Sequence, residues 1–264
     1  MDQLSVVPRC TLIAETTVIH DGLSAALNML GVQDWQTDAA TDAERLMEFA
    51  GKSCYLSLSP ELNKNLTKVG TRNNQEYLQE GIIKPAHGSV LEHASVTAFF
   101  HNISRIVTHE QVRHRAGTAF SQTSGRYVRG EILMYYPRIL ETYGEKAKNV
   151  FRRAISQMEE NVRELEQITG INGMKDFGLK KKLTSAFRRL IGNGQANHLV
   201  FTANHRAWRH IIEIRTSRHA EEEIRLVVGQ AAEQLAARYP AIYADMTAEM
   251  VDGFHEYTFK HRKV

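Results

Sequence analysis

The chain has 264 residues, of which 42% are hydrophobic and 24% charged, an ordinary globular composition that excludes a disordered or fibrous chain. Its 33 Lys and Arg against 30 Asp and Glu give a formal net charge of +3, which is too small for a general nucleic-acid binder. The two cysteines exclude a disulfide scaffold and a four-thiolate metal site.

The first half of the chain predicts two strands separated by short helices. β-Branched residues mark the first strand, alternating apolar residues mark the second, and capping residues mark the starts of helices. In chain order we expect a strand over 11–20, a helix over 23–30, a helix opened by a Thr41/Glu44 capping box, a helix opened by Ser59-Pro60, a helix over 73–79, a strand over 95–100 and a helix capped by Ser104.

The second half is predominantly helical. The Gly, Ser and Thr residues of 117–130 predict a loop, and an apolar stripe predicts a long amphipathic helix over 143–168. The remaining predicted elements are helices over 179–191, 197–214 and about 220–237, the last of which ends near Pro240. Because no Pro/Gly/Ser-rich linker separates two halves, the pattern favours one helix-rich α+β domain with a few strands in one sheet.

The sequence carries no segment typical of a membrane or secreted protein. No stretch approaches the roughly 18–20 apolar residues of a membrane-spanning helix. The first residues include Asp2, Arg9 and Glu15 and lack the apolar core of a secretory signal. We therefore expect a cytoplasmic protein with no membrane partner.

Three segments hold most of the unusual polar residues, and the first lies just before the second predicted strand. His87, Glu92 and His93 could be metal ligands, but their spacing differs from a helical HExxH pair and no cysteine lies nearby. The alternative is structural, with the imidazoles hydrogen-bonded at the entrance of the strand. We expect no metal site from this segment alone.

The second segment combines basic residues with a loop of small residues. Arg113-His114-Arg115 end a predicted helix and run into 116–127, which carries hydroxyl groups and Arg126. Guanidinium groups bind phosphate in a planar, bidentate manner, and small residues let backbone N–H groups approach it. The segment therefore indicates a small polyanion. Basic residues that complement a helix dipole beside a flexible loop are the alternative.

The third segment, 204–215, lies on one predicted helix. Arg206 and His210 are four residues apart and share a face, whereas Arg215 is about two and a half turns beyond Arg206 and roughly opposite. One helix could therefore serve two ligands or two adjacent protomers. A basic exposed helix is the alternative.

Together these segments resemble the signature of the flavin-dependent thymidylate synthases over roughly residues 40–240. In that family, an Arg-His-Arg motif is followed by seven residues and then a serine. The matching segment here is similar: Arg113-His114-Arg115 is followed by eight residues and then Ser124-Gly125-Arg126-Tyr127. The other matching motifs are His87-x-Ser89-x-x-Glu92-His93, Asn204-x-Arg206 with His210 and Arg215, and Lys52-Ser53-Cys54-Tyr55. Departures are Gly192 where a proline is usual, a weak match over 197–201, and the longer loop.

The resemblance implies a single domain over 1–264, helix-rich α+β, with a small, mostly antiparallel sheet. It implies reductive methylation of dUMP to dTMP, with methylenetetrahydrofolate as carbon donor, FAD as hydride carrier and NADPH as reductant. It further implies a homotetramer with shared active sites, and no nucleic-acid partner. A cofactor suits this chemistry, because no side chain can deliver hydride.

The resemblance also implies roles for individual residues. At the flavin it places Ser89, Glu92, Arg113, His114, Arg115, Asn204, Arg206 and His210. Around dUMP it places Glu110, Gln122, Ser124, Gly125, Arg126, Arg188 and Arg215. The expected catalytic residues are Arg215, whose guanidinium would stabilise enolate-like charge on the uracil, and His87, near the flavin and folate. Ser124 is expected to bind nucleotide, since the sequence places no histidine to activate it as a nucleophile.

Three other classes of protein stay open. The nearest is a related flavoenzyme with a different pyrimidine nucleotide or carbon donor, because the longer loop could reshape the pocket. The 12 histidines permit a metal-dependent phosphohydrolase. The basic clusters permit a non-catalytic nucleotide- or RNA-binding module, although aromatic residues make up only 8% and no stacking platform is apparent.

Overall fold

The computed structural model describes residues 6–127 and 131–262, which form a helix-rich α+β fold, as predicted. The α-helices are α1 (His20–Met29), α2 (Asp42–Cys54), α3 (Thr67–Gly70), α4 (Asn74–Glu76), α5 (Arg105–Gln111), α6 (Gly144–Thr169), α7 (Phe177–Phe187), α8 (His205–Arg215), α9 (Glu222–Arg238) and α10 (Pro240–Tyr243). The strands are β1 (Arg9–Glu15), β2 (Ser95–Ser104), β3 (Thr118–Gln122), β4 (Ala196–Asn204), β5 (Met246–Val251) and β6 (Phe254–Phe259). Within the described ranges, no helix is both long and apolar enough to cross a bilayer.

Side-chain caps begin α2, α5 and α8 at residues that suit this role. Thr41, Ser104 and Asn204 each accept a hydrogen bond from the backbone N–H three residues further on, at the starts of α2, α5 and α8. Each cap satisfies a backbone donor that has no partner within its own helix. The caps at Thr41 and Ser104 confirm the predicted starts of those helices.

Four strands form a sheet in the order β1-β2-β4-β3, and β5 pairs with β6 in a separate antiparallel hairpin. The ends of β3 and β4 show that these two strands are antiparallel. The N–H of Asn204 donates to the carbonyl of Gly117 at one end, and the N–H of Thr123 donates to the carbonyl of His198 at the other. The prediction of a single sheet is wrong, because it omitted the hairpin.

The helix predicted over 197–214 is wrong in its first part, which forms β4. Leu199, Phe201 and Ala203 are fully buried, and the residues between them are more exposed, so the burial pattern has the period of a strand. Helix α8 starts only at His205. Asn204 therefore caps the helix and does not lie within it.

Two other predictions for the first half of the chain are wrong. Ser59-Pro60 opens a tight turn and not a helix, because the N–H of Glu61 and that of Leu62 donate to the side chain and the carbonyl of Ser59. The strand predicted over 11–20 ends at Glu15, and α1 already begins at His20.

The second half contains three strands, β3, β5 and β6, and one hairpin turn that were not predicted from the sequence. The predicted loop over 117–130 contains β3; residues 128–130 of it lie outside the described residues. After α10, the β5–β6 hairpin turns at Asp252 and Gly253, whose φ angles are 54° and 81°. Positive φ at both central residues is what the type I′ turn of a two-residue hairpin requires.

The described residues divide into two compact units. The first unit comprises 6–10, 99–113, 120–127 and 131–200, and the second comprises 11–98, 114–119 and 201–262. In the first unit, Ile155 of α6 packs on Ile132 and Met134. In the second, the fully buried Trp208 of α8 donates its indole N–H to the carbonyl of Val96 at 3.1 Å. The expectation of a single domain stays a prediction.

Candidate functional site

The residues predicted at the flavin lie mainly in the second unit, and three of the residues singled out by sequence meet there at His114. Nε of Arg215, the last residue of α8, donates to Nε2 of His114 at 2.9 Å. The ring of His210, also on α8, lies edge-on to that of His114 with 5.8 Å between centroids. The structure thus joins the Arg-His-Arg segment to α8, although His114 and Arg215 are 101 residues apart in sequence.

The Arg215–His114 hydrogen bond fixes the protonation state of the imidazole. A guanidinium stays charged and only donates, so Nε2 of His114 must be unprotonated and the ring proton must sit on Nδ1. Burial, followed by the charges of Arg215 and His210, lowers the pKa of His114 to about 4. His114 is therefore a neutral imidazole at pH 7.

A tight turn after His114 fixes its position. The Thr118 hydroxyl donates to the carbonyl of His114 at 2.6 Å, and the N–H of Asn204 donates to the carbonyl of Gly117 at 3.0 Å. Gly117 has a φ of +68°, and a Cβ at this position would overlap the side-chain amide of Asn204. Backbone conformation and close approach therefore both require glycine here, within the eight-residue interval before Ser124.

Two other residues predicted at the flavin, Arg206 and Glu92, pair with each other at the surface. Nη1 of Arg206 donates to Oε1 of Glu92 at 2.6 Å, and both side chains are nearly half exposed. His87 and Ser89 are exposed at the start of the 3-10 turn Gly88–Glu92, and no described residue hydrogen-bonds the imidazole of His87. The structural alternative for His87 is therefore not realised. The described residues contain no group of three or more His, Cys, Asp and Glu placed to hold a metal ion.

The residues predicted around dUMP lie mainly in the first unit, and two guanidinium groups meet there at Gly125. A Cβ on Gly125 would lie 3.3 Å from Nη2 of Arg105 and 3.5 Å from Cδ of Arg188. Burial, and then the charge of Arg188, lowers the pKa of Arg105. No carboxylate of the described residues pairs with either guanidinium. Two adjacent cations that pair with no carboxylate of the described residues indicate an anion site.

Gly125 lies on the wall of a cavity of about 1550 Å³ in the first unit. Helix α6, the 3-10 turn Arg188–Leu190 and β4 contribute to the wall, and Arg105, Tyr127 and His198 line it. Of the residues predicted around dUMP, Gly125 and Arg188 line the cavity. Its volume is larger than the roughly 300–1,000 Å³ typical of small-molecule pockets, so a nucleoside monophosphate would fill only part of it.

Other residues predicted around dUMP lie on the same segment of the first unit but not on the cavity wall. Nε2 of Gln122 donates to the hydroxyl of Thr108 on α5 at 3.1 Å. Oγ of Ser124 accepts from the N–H of Arg126 at 3.3 Å, which shapes the turn. The same unit also holds Glu110, which is partly buried, and Arg113, which is exposed.

Sequence reasoning missed several groups beside the cavity. Arg105 belongs to none of the three segments, and the only sequence signal for it is that arginines cluster between Arg105 and Arg129. Nζ of Lys181 lies 4.5 Å from the ring centroid of Tyr127, and its hydrogen bond lowers the pKa of the Tyr127 hydroxyl. The rings of His101 and His198 stack at 4.6 Å with an interplanar angle of 1°. These last two pairings join distant segments, and no local pattern predicts them.

Two solved structures share this fold. A UMP/dUMP methylase from Streptomyces cacaoi, bound with 5-Br dUMP, matches 90% of this chain and 93% of its own with a TM-score of 0.60 at 17% identity. Thymidylate synthase X from Helicobacter pylori, with FAD and dUMP, matches 90% of this chain and 98% of its own with a TM-score of 0.58 at 16% identity. The chain therefore has the fold of these two enzymes.

Sequence comparison defines the family. Residues 37–241 match the model of the thymidylate synthase complementing protein family. The flavin-dependent thymidylate synthase of Mycobacterium marinum is 35% identical over 247 residues, which cover 91% of this chain and 95% of the relative. That of Corynebacterium efficiens is 35% identical over 226 residues, with 83% and 86% covered. The chain belongs to the flavin-dependent thymidylate synthase family, which confirms the resemblance.

Proposed function

We propose that this protein methylates dUMP to dTMP, with FAD as hydride carrier, methylenetetrahydrofolate as carbon donor and NADPH as reductant. Membership of the family supports the activity, and the Helicobacter pylori structure with FAD and dUMP supports the cofactor and the substrate. In this chain, the observation that carries the proposal is the hydrogen bond between Arg215 and His114. This hydrogen bond brings together the Arg-His-Arg segment and α8, the two motifs that the proposed reaction requires.

Several polar groups of the second unit, most of them exposed, fit a flavin dinucleotide. Its diphosphate requires cationic and neutral donors, and Arg206, Arg115, His210, Asn204 and Ser89 supply them. The proposed flavin set is completed by Glu92, Arg113 and His114. When bound, the flavin supplies the hydride that no side chain can deliver.

The adjacent guanidinium groups of Arg105 and Arg188 in the first unit fit the phosphate of a nucleotide. Arg105 and Arg188 flank Gly125, where the absence of a side chain leaves room for close approach. Charge-assisted hydrogen bonds to phosphate offset the cost of holding the two cations together. The proposed nucleotide set is Glu110, Gln122, Ser124, Gly125, Arg126, Arg188 and Arg215, to which the structure adds Arg105.

Arg215 acts in this proposal through charge. His114 accepts its Nε–H at 2.9 Å and, as a neutral imidazole, adds no competing charge. A guanidinium held in this way stabilises the negative charge that develops on the pyrimidine as C5 becomes nucleophilic. His87, which is exposed, is proposed to contact the folate beside the flavin.

Two measurements on the purified protein test the proposal. Titration with FAD should produce a bound flavin absorption band, and tritium should leave dUMP labelled at C5 only when methylenetetrahydrofolate and reduced flavin are both present. UMP in place of dUMP tests the nearest alternative, a related enzyme with another pyrimidine nucleotide. A protein that binds FAD and oxidises NADPH, yet never releases tritium from dUMP, would overturn the proposed substrate.

Family membership also supports the finer parts of the proposal. We place the enzyme in the cytoplasm as a homotetramer with shared active sites, and as a single domain whose core covers roughly 40–240. The family model spans 37–241, close to that core. Sedimentation at micromolar concentration measures the assembly, and a species of one chain would contradict it.

A further inference from the structure

The C-terminal β5–β6 hairpin, Met246–Phe259, lies outside the part of the chain that the family model covers. We propose that this hairpin holds α8 in the position at which Arg215 meets His114, with Thr216 and Arg209 as the positioning residues. Only the expected effect on catalytic activity rests on the proposed function; the positioning of α8 by the hairpin does not. The contacts that carry it all lie within the second unit.

Thr216 links the residue after Arg215 directly to the hairpin. It is fully buried at the end of α8, where its hydroxyl donates to the carbonyl of Ile212 at 2.7 Å. The same oxygen accepts the backbone N–H of Tyr257, in β6, at 2.9 Å. One side chain thus closes the last turn of α8 and ties it to a strand.

Arg209 makes the second link, two turns earlier on α8. Its guanidinium donates to both carboxylate oxygens of Asp245 at 2.7 and 2.9 Å and to the carbonyl of Ile242 at 2.9 Å, and it lies 4.1 Å from the ring centroid of Phe259. Burial opposes ionisation of Asp245, but the hydrogen bond and charge of Arg209 lower its pKa overall. This arginine is 3% exposed, so its contacts are internal.

Helical geometry separates these anchors from the site. At about 100° per residue, positions 209 and 216 fall within roughly 20° of each other on the helix. His210 and Arg215 fall on the two flanks of the opposite side, and both reach His114. A shift of the hairpin would therefore move both site residues relative to His114, and a misplacement of about 1 Å can cost on the order of a hundredfold in rate.

Thr216→Val tests the link, because it keeps the shape of the side chain and removes both hydrogen bonds. We expect the Arg215–His114 contact to loosen, so that the pKa of His114, followed by NMR of the full-length protein, rises by roughly one unit towards its ordinary value. We expect kcat for tritium release to fall about tenfold to a hundredfold at unchanged flavin content. Thr216→Ser keeps both hydrogen bonds and should restore both readouts.

Thr247→Val is the matched control, because the only partner of the Thr247 hydroxyl among the described residues is Thr258, on the exposed side of the same hairpin. It should leave the His114 pKa and kcat at wild-type values. Should Thr216→Val fail to fold, Phe259→Leu removes the ring beneath Arg209 and carries the same expectation for both readouts.

The outcomes separate this inference from the proposed function. A folded Thr216→Val or Phe259→Leu variant with the wild-type His114 pKa and kcat would overturn the positioning role. Wild-type protein that releases no tritium would overturn the proposed function, while a shift of the His114 pKa in the same variants would still establish the link.

Discussion

The arginines of the two units differ in what their guanidinium groups face. In the second unit, arginines pair with carboxylates: Arg206 with Glu92, Arg209 with Asp245, Arg218 with Glu249 and Glu256, and Arg238 with Glu15. In the first unit, Arg105 and Arg188 approach each other at Gly125, and no carboxylate of the described residues pairs with them. Because like charges held together raise the free energy of the fold, such a pair marks a place for an anion. The arginines paired with carboxylates stabilise the fold, whereas the adjacent like charges of Arg105 and Arg188 indicate where a ligand binds.

Arg215 donates to a neutral imidazole, that of His114, and its replacement should have the largest effect. Arg215→Lys keeps the charge but loses the planar group that bonds His114, so we expect kcat for tritium release to fall on the order of a hundredfold or more. Flavin reduction by NADPH, which needs no activated uracil, should continue at the wild-type rate. Equal losses in both assays would show that Arg215 acts on the flavin and not on the nucleotide.

Arg188→Ala tests the unpaired arginines directly. Loss of a charge-assisted hydrogen bond costs about 1.5–3 kcal/mol, so we expect the Kd for dUMP to rise roughly tenfold to a hundredfold in titration calorimetry. The control is Arg153→Ala, at an exposed position of α6 that does not line the cavity. If the Arg188→Ala and Arg153→Ala variants bind dUMP equally well, Arg188 does not contribute to the dUMP site.

The second unit also contains a deeply buried imidazole, that of His205. The pH dependence of stability tests how much burial disfavours its protonated form. Burial, partly opposed by the Glu15 carboxylate, lowers the pKa of His205 to about 3. Below its ordinary pKa of about 6.5, the unfolded chain gains a proton that the folded protein does not, so the free energy of unfolding decreases as the pH falls. Between pH 6.5 and 5 the expected loss is about 2 kcal/mol.

Urea denaturation at several pH values measures this loss. The pH dependence should be shallower by that amount in His205→Asn than in the wild type. The same change at the exposed His219 should keep the wild-type dependence. Identical slopes in His205→Asn and the wild type would rule out His205 as the group responsible.

Replacement of Gln111 tests whether a buried polar side chain without a hydrogen-bond partner in the first unit must belong to a ligand site. Its side chain is 1% exposed, and neither amide atom has a hydrogen-bond partner among the described residues. Gln111→Met removes both atoms at similar volume and should raise the free energy of unfolding by about 1–2 kcal/mol. We expect the Kd for dUMP to stay unchanged; a weaker affinity would place Gln111 in the nucleotide site.

Local signals predicted a good part of the fold. The capping residues Thr41 and Ser104 placed the starts of two helices, because a cap depends only on residues within one turn. The apolar stripe over 143–168 likewise predicted α6, Gly144–Thr169. Such features depend on sequence neighbours, so a single sequence contains them.

Two errors arose although the signal was present. Leu199, Phe201 and Ala203 have the period of a strand, but the helical pattern that follows was extended over them. Asp252-Gly253 between apolar residues is a strong hairpin signal, and it was overlooked. Both patterns are local: a period of two indicates the strand, and the Asp-Gly pair indicates the turn.

The geometry of the candidate site could not be predicted in the same way. Motif spacing identified His114 and Arg215, but their hydrogen bond joins residues on different elements far apart in sequence. Arg105 lies beside Arg188 because both side chains pack around Gly125, which the sequence does not indicate. Pairwise contacts of this kind depend on the tertiary fold, and no spacing rule determines them.

The ion pair between Arg206 and Glu92 affects how ionic strength acts on the binding of any anion that contacts Arg206. Binding of an anion to a free cation releases small counterions, and this release makes affinity fall steeply with salt. Arg206 already has a carboxylate beside it, so a ligand phosphate would exchange one anion for another and release fewer ions. An exposed pair is worth only about 0–1 kcal/mol, so the exchange itself costs little. Affinity for a dinucleotide should therefore vary less with salt than the number of nearby basic residues suggests.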